Sequence, residues 1–458
     1  MNDITAFFAF LKYCLGYKGN MSRVVAGMDW QMLYSFASKQ ALLGLCFEGI
    51  ERLGKEYPEE LRLNPIGREL LMTWMGKAQQ IRRQNMKVNT VASKLFSMLR
   101  EDGLRCCVLK GQGNALMYSN PYSRTPGDID VWIDASRERI MEYAQKKFEL
   151  EDDIRLQHLE TSLDGVPVEL HFFPCSMNNP IYHTRLQKWF RRNADLQCSH
   201  IVGLPDGAGD IAIPTTAFNV VYQLTHLYHH FFDEGIGMRQ ITDYFLVVND
   251  FSKNVFLNND LSNHPVPLSK EGSTFSLSPS SSGSGDVTAP SRCSEPLRSK
   301  DGGPSKVSPD CAGWDRLDAI GASKPSPDCA GWDRLGGNGD TTSTALDVVQ
   351  RELKYLGLWK FAGAVMYVLH KALGLPEEKM IAPMDEKRGK LLLAEILNGG
   401  NFGKHFTKYG HFTQQGMAKK YFLKIWRNMH FVRYFPAEAL CEPIFRTWHF
   451  FWRLKHRR

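Results

Sequence analysis

Along residues 1 to about 100 the apolar positions recur at spacings of three and four, as in ITAFFAFLKYCLG, DWQMLYSFASKQALLGLCFEGIERLG and LLMTWMGKAQQIRRQNMKVNTVASKLFSMLRED. That period lines one face of a helix, and Gly and Pro fall only at the breaks, so this region is predicted to be helical throughout. The last helix has a polar middle, Lys77 to Lys87, and leads into a strand beginning near Leu104. From there to about residue 200 the period shortens. LRCCVLKG and DIDVWID are short β-type runs, RERIMEYAQKKFELED is an amphipathic helix, and IRLQHLETSLDGVPVELHFFP reads as two strands joined by a hairpin at Asp164-Gly165. The order helix-strand-helix-strand-helix-strand-strand predicts a small α/β unit. The expected class is α+β, a small mixed β-sheet core with flanking helical regions.

Helical periodicity returns in IPTTAFNVVYQLTHLYHHFFDEGIGMRQITDYFLVVND, residues 213 to 250. Composition then changes. Residues 252 to 345 are dominated by Ser, Gly, Pro and Asp and hold few large apolar residues, so they cannot bury enough surface to offset ordering entropy and are expected to be a disordered insertion. SPDCAGWDRL occurs twice there, too few copies for a solenoid. Residues 346 to 458 are helical and basic. The expected organisation is a helical N-terminal region (1–100), an α/β core (101–205), and a helical C-terminal domain (206–251 and 346–458) interrupted by the insertion (252–345).

Overall composition adds a few bounds. Hydrophobic residues make up 43% and charged residues 23%, ordinary for a globular protein. The net charge of +7 favours anionic ligands without the charge density of a dedicated DNA-binding protein. Ten cysteines include no Cys-x-x-Cys pair, so neither a zinc site nor a disulfide framework is signalled. The N-terminus has Asp3 where a signal peptide wants a cation, and no stretch approaches the roughly 18 to 20 apolar residues of a membrane span. A cytoplasmic protein is expected.

Candidate chemistry concentrates in VLKGQGNALMYSNPYSRTPGDIDVWID, residues 108 to 134. Strand side chains alternate faces, so Asp128 and Asp130 point one way while Ile129, Val131 and Ile133 enter a core. Two neighbouring carboxylates repel unless a cation lies between them, and divalent metal is the usual solution. Glu169, from the strand in VPVELHF, would complete a three-carboxylate cluster for Mg²⁺ or Mn²⁺ of the kind that serves phosphoryl transfer. A lone Asp-x-Asp after a Gly turn also fits a strand that simply faces solvent; Lys110-Gly111, Arg124, Gly127 and Glu169 tilt the reading toward a metal and phosphate site.

Together, LKGQGNALMY, SRTPGDIDVWI and VELHFFP resemble the uncharacterised nucleotidyltransferase family of the DNA polymerase beta-like superfamily, common in bacterial genomes. The resemblance covers about residues 20 to 250 and the C-terminal helical part. It implies transfer of a nucleotidyl group from a nucleoside triphosphate to an acceptor hydroxyl on a small molecule, protein or RNA. By the same resemblance Asp128 and Asp130 bind both metals and Glu169 holds the one that activates the acceptor. The superfamily's usual strand-end Gly-Ser is replaced here by Lys110-Gly111. Gly111 permits close approach of backbone to an anion at a helix start, Lys110 supplies a charge, and Arg124 is a candidate bidentate phosphate clamp. A catalytically silent nucleotide-binding or interaction protein is the alternative.

Four further groups are weighed. His171 shares Glu169's strand face and either orients that carboxylate or closes the core edge. His226 and His230, one turn apart among Leu, Tyr and Phe, fit a packed helix better than a metal pair. Arg239 and Asp243 either line the cleft from the helical domain or form an i, i+4 surface pair. The aromatic, basic C-terminus fits RNA or membrane contact, but also a terminal helix packing its rings while Lys and Arg stay in water.

Overall fold

The computed structural model describes residues 3–150, 155–263, 344–405 and 417–456. The low-complexity stretch expected at 252–345 lies outside them except at its ends, where helix continues to Asn263 and begins again at Ala345. Six helices precede the first strand: α1 (Asp3–Cys14), α2 (Ser22–Ala26), α3 (Trp30–Lys39), α4 (Leu43–Glu56), α5 (Pro58–Leu63) and α6 (Arg68–Glu101). The sheet region follows as β1 (Cys106–Val108), α7 (Gly111–Ala115), β2 (Ile129–Ile133), α8 (Arg137–Lys147), β3 (His158–Leu163) and β4 (Val166–His171). This is the element order expected from the hydrophobic pattern.

After α9 (Pro180–Ser199) comes an unforeseen hairpin, β5 (Ile201–Gly203) and β6 (Asp210–Ala212), whose strands are too short to show a period. Helices α10 (Thr216–Asp233) and α11 (Met238–Asn263) then break at Glu234–Gly237. The C-terminal part contributes α12 (Ala345–Tyr355), α13 (Trp359–Leu373), α14 (Glu386–Gly399), α15 (Met417–Met429) and α16 (Pro436–His456). No helix among the described residues is long and apolar enough to cross a membrane.

The main sheet has the order β1-β2-β4-β3, with β1 antiparallel to β2, β2 parallel to β4, and β4 antiparallel to β3. Alternation divides its faces. Val108, Ile129, Val131, Ile133, Leu159, Val168 and Leu170 form a core with Val88, Val91, Leu95 and Leu99 of α6 and Ile140 and Ala144 of α8. Each such side chain is worth roughly 1.5–3 kcal/mol of burial, which fixes that face inward. The other face meets α9 and α10. Trp132 stacks on Phe218 at 6.3 Å with an interplanar angle of 8°, and Phe218 stacks on Trp189 at 4.5 Å.

The β3–β4 turn is as expected: Asp164 (φ 51°) and Gly165 (φ 71°) both take the left-handed conformation, the geometry that matches strand twist in a two-residue hairpin. The chain ends are tied to the rest by specific contacts. The Tyr17 hydroxyl donates to the Gly374 carbonyl at 2.8 Å, and Glu438 of α16 accepts from the Asn178 and Asn179 backbone N–H groups at 2.5 and 3.2 Å.

Candidate active site

Strand register assembles the site. The parallel pair β2–β4 sets Asp130 opposite Glu169, and the antiparallel pair β3–β4 sets Glu160 opposite Glu169 and His158 opposite His171. Directly opposed residues project to the same face, so these side chains share the surface that α10 covers. Asp128, one residue before β2, is on Asp130's side but exposed, whereas Asp130 is 4% exposed. The acidic residues expected from the sequence are therefore adjacent in space.

Asp130 and Glu169 are held by cationic partners. His171 Nε2 lies 3.1 Å from both Asp130 Oδ1 and Glu169 Oε2. Lys110 Nζ lies 2.9 Å from Asp130 Oδ1 and 3.0 Å from His226 Nε2. Lys110 reaches this position from a strained backbone (φ 48°, ψ −135°), a conformation that glycine tolerates and a side chain does not. Gly111 follows with φ 43° and starts α7, whose five residues are too few to build much of a dipole. Positive charge at this corner comes from the Lys110 ammonium.

The resulting field separates the carboxyl groups. Repulsion from Asp130, with desolvation by the cleft walls around it second, pushes Asp128 up to about 6. Burial also disfavours the Asp130 carboxylate, but Lys110 and His171 outweigh it and hold the group well below its ordinary range. Burial acts against Glu169 too, and the His171 hydrogen bond reverses the sign. Burial lowers Lys110, while Asp130, Asp128 and Glu169 bring it above its usual value. His171 is pulled down by burial but raised to about 9 by hydrogen bonds to Asp130 and Glu169. Gln157 Nε2, 3.3 Å from its Nδ1, favours the neutral ring; the two carboxylates are the larger effect.

Arg124 is not arranged as the expected phosphate clamp. Its Nε and terminal nitrogen donate to the two oxygens of Asp243 at 2.9 and 2.8 Å, and Tyr118 donates to the same carboxylate at 2.8 Å. Both ionic partners are buried, so the guanidinium fork joins the loop before β2 to α11 and has no second fork to offer. The i, i+4 pairing of Arg239 with Asp243 is replaced by this bond. Arg239 instead lines the cleft, donates to the Thr125 carbonyl at 3.1 Å, and keeps its Nε without a hydrogen bond. Gly127 lies beside it: a Cβ there would stand 3.8 Å from the Arg239 guanidinium.

These groups surround a polar cleft of about 410 Å³, within the range of small-molecule sites. His226, read from the sequence as packed helix, points into it, and His230 stands edge-on 4.3 Å away. Sequence reasoning missed His158, Arg155, Phe402 and Lys404, which also line it. His158 was findable: a two-residue turn at Asp164-Gly165 fixes the pairing 163 with 166, and counting outward places 158 opposite 171. Phe402 and Lys404 arrive from a distant segment with no local signal.

The donors suit a hard divalent cation. Asp128, Asp130 and Glu169 offer oxygen ligands, the set preferred by Mg²⁺ and Mn²⁺, and the raised Asp128 marks a place where added positive charge is favoured.

Fold and cleft define an α+β protein with a carboxylate- and cation-lined pocket. The chain belongs to a family described as uncharacterised nucleotidyltransferase, whose model matches residues 26–262, a span that includes every strand among the described residues. A solved structure of an antigenic nucleotidyltransferase-like protein from Paracoccidioides brasiliensis is similar at 17% identity over 38% of this chain and 90% of that one, with a TM-score of 0.25. Among curated proteins no match was found.

Proposed function

We propose that this protein transfers a nucleotidyl group from a nucleoside triphosphate to an acceptor hydroxyl with release of pyrophosphate, as a member of the DNA polymerase beta-like superfamily. The observation that carries the reading is the β2–β4 register, which sets Asp130 beside Glu169 with Asp128 at the cleft mouth. In this reading these three carboxylates hold Mg²⁺ or Mn²⁺, which supplies charge neutralisation at the triphosphate and activation of the attacking oxygen. Lys110 places its ammonium against Asp130 and offers charge to phosphate oxygens. Arg239, with Nε free of hydrogen bonds among the described residues, takes the phosphate-binding role expected of Arg124. His171 holds Glu169 and Asp130 at a fixed separation by donating to both.

One observation favours a second reading. Lys110 and His171 both bind Asp130 Oδ1, the lone pairs a metal needs, as in a nucleotide-binding protein without turnover. The two readings separate when the protein is incubated with Mg²⁺ or Mn²⁺ and each α-labelled nucleoside triphosphate beside the Asp128→Ala/Asp130→Ala variant. Transfer of label, to the protein itself or to an added acceptor, by the wild type alone supports the enzyme. Equal triphosphate binding by both proteins with no consumption by either refutes it.

A further inference from the structure

On the β3–β4 side of the cleft, three side chains converge that the nucleotidyl-transfer reading uses only in part. His158, Glu169 and His171 each offer one ligand atom, and these atoms lie within 4.8 Å of one another. His158 Nδ1 is 3.4 Å from Glu169 Oε2, and the His158 and His171 ring centroids are 5.0 Å apart. All three positions are fixed by register, since β3 sets His158 opposite His171 and β4 carries Glu169 two residues earlier on the same face. No loop has to close to form the cluster.

The second observation is that His158 is 9% exposed, yet neither ring nitrogen makes a hydrogen bond. Its Nε2 and Nδ1 lie 3.5 and 3.4 Å from the Glu160 and Glu169 carboxylates without hydrogen-bond geometry, an arrangement that a bound ligand improves.

We propose that His158, Glu169 and His171 form a binding site for a transition-metal ion of the Zn²⁺ type, distinct in preference from the all-oxygen site at Asp128 and Asp130. Two imidazoles and one carboxylate are a donor set that Zn²⁺ accepts with a fourth position left open, whereas Mg²⁺ prefers oxygen and is slow to lose water. The inference rests on the reading of Glu169 as a metal ligand. Because Glu169 cannot serve both ions fully, Zn²⁺ bound here competes with the Mg²⁺ arrangement and acts as an inhibitor of it. On binding, the metal takes the place of the proton His171 Nε2 now donates to Asp130 and Glu169. That Nε2 proton is released to solvent, and the ring keeps its other proton on Nδ1, so binding liberates one proton per metal ion.

The test is titration of the full-length, chelator-stripped protein with Co²⁺ as a spectroscopic stand-in for Zn²⁺, followed by displacement with Zn²⁺ and with Mg²⁺. The expected result is one equivalent of Co²⁺ with visible absorption of low-coordinate nitrogen ligation, displaced by Zn²⁺ at micromolar concentration and not by millimolar Mg²⁺. His158→Ala and His158→Asn, checked for native circular dichroism, should each weaken Co²⁺ binding at least about tenfold. Asp128→Asn should leave it unchanged.

Octahedral all-oxygen spectra in the wild type overturn the proposal without recourse to any variant. So does binding unaffected by both His158 substitutions, or displacement by Mg²⁺. Co²⁺ binding that survives in a protein inert toward every triphosphate would refute nucleotidyl transfer and leave the metal site standing. Turnover with no Co²⁺ site would do the reverse.

Discussion

Arg124 and Asp243 provide the sharpest test of how the cleft is built. The pair is bidentate, both residues are about 5% exposed, and Tyr118 supplies a further hydrogen bond to the carboxylate. Replacing either ion alone with alanine strands the other in a low-dielectric setting, a change that typically costs about 3–5 kcal/mol. With a urea m-value near ~3 kcal/mol/M, the midpoint of unfolding should fall by roughly 1–2 M for Arg124→Ala and for Asp243→Ala. Removing both charges together should cost much less than the sum of the singles, because Arg124→Met/Asp243→Leu leaves no uncompensated ion; such replacements are often neutral. The assay is urea denaturation of the two single variants and the Met/Leu double variant, with triphosphate affinity of the folded variants measured by equilibrium dialysis. Arg239→Ala should weaken triphosphate binding more than the Met/Leu double variant does. Two results would refute the structural role of Arg124: single variants that each lose under about 1 kcal/mol, or a double variant whose loss equals the sum while triphosphate binding disappears.

Lys110 holds a glycine-type backbone for the sake of its charge, so Lys110→Gly should be more stable in urea than Lys110→Met by roughly 1–3 kcal/mol, while both lose triphosphate turnover; equal stability would deny the strain. Glu438, 1% exposed, is pushed up to about 7 chiefly by burial, with Glu442 adding to it against the Asn178 and Asn179 N–H bonds. The folded state therefore binds a proton that the unfolded state has released between about pH 4.5 and 7, so this group's contribution falls as pH rises through that window and stays low above it. Glu438→Gln should gain stability at pH 8 and little at pH 5 in parallel thermal melts; a gain independent of pH would contradict the assignment. Trp132→Ala, which opens the stack on Phe218 beneath the site, should cost about 3–5 kcal/mol by denaturant titration, and a loss under 1 kcal/mol would mean the stack carries little.

Much of this arrangement is legible in the sequence because it rests on alternation and turn chemistry. Asp128 and Asp130 interleave with Ile129 and Val131, and Asp164-Gly165 is a turn that permits one register. Those features act over a few residues and leave a local trace. The pairing of β2 with β4 does not, since nothing near Asp130 says which strand lies beside it; Glu169 was reached as a carboxylate on another predicted strand, and its particular role came from the resemblance to a family. Arg124 shows the opposite limit. Its type and position suggested phosphate, but Asp243, 119 positions later, binds its fork at 2.8 Å. His226 does pack against rings of its own helix, as its apolar flanks suggest, but its contact with Lys110 at 3.0 Å comes from a residue 116 positions earlier and leaves no local trace.

The two-residue turn at Asp164-Gly165 has a consequence for how the protein acquires its chemistry during folding. His171 and Asp130 are 41 positions apart, and they touch only after β4 has docked beside β2. A slip of one residue in that docking would turn Val168 and Leu170 toward the cleft and send Glu169 and His171 into the apolar core, an outcome too costly to persist. The hairpin presents β4 with its polar and apolar sides already sorted, so the docking step has a single acceptable outcome. Chains with a loosened turn should refold more slowly and leave a fraction in which the sheet is paired but the acidic cluster has never formed.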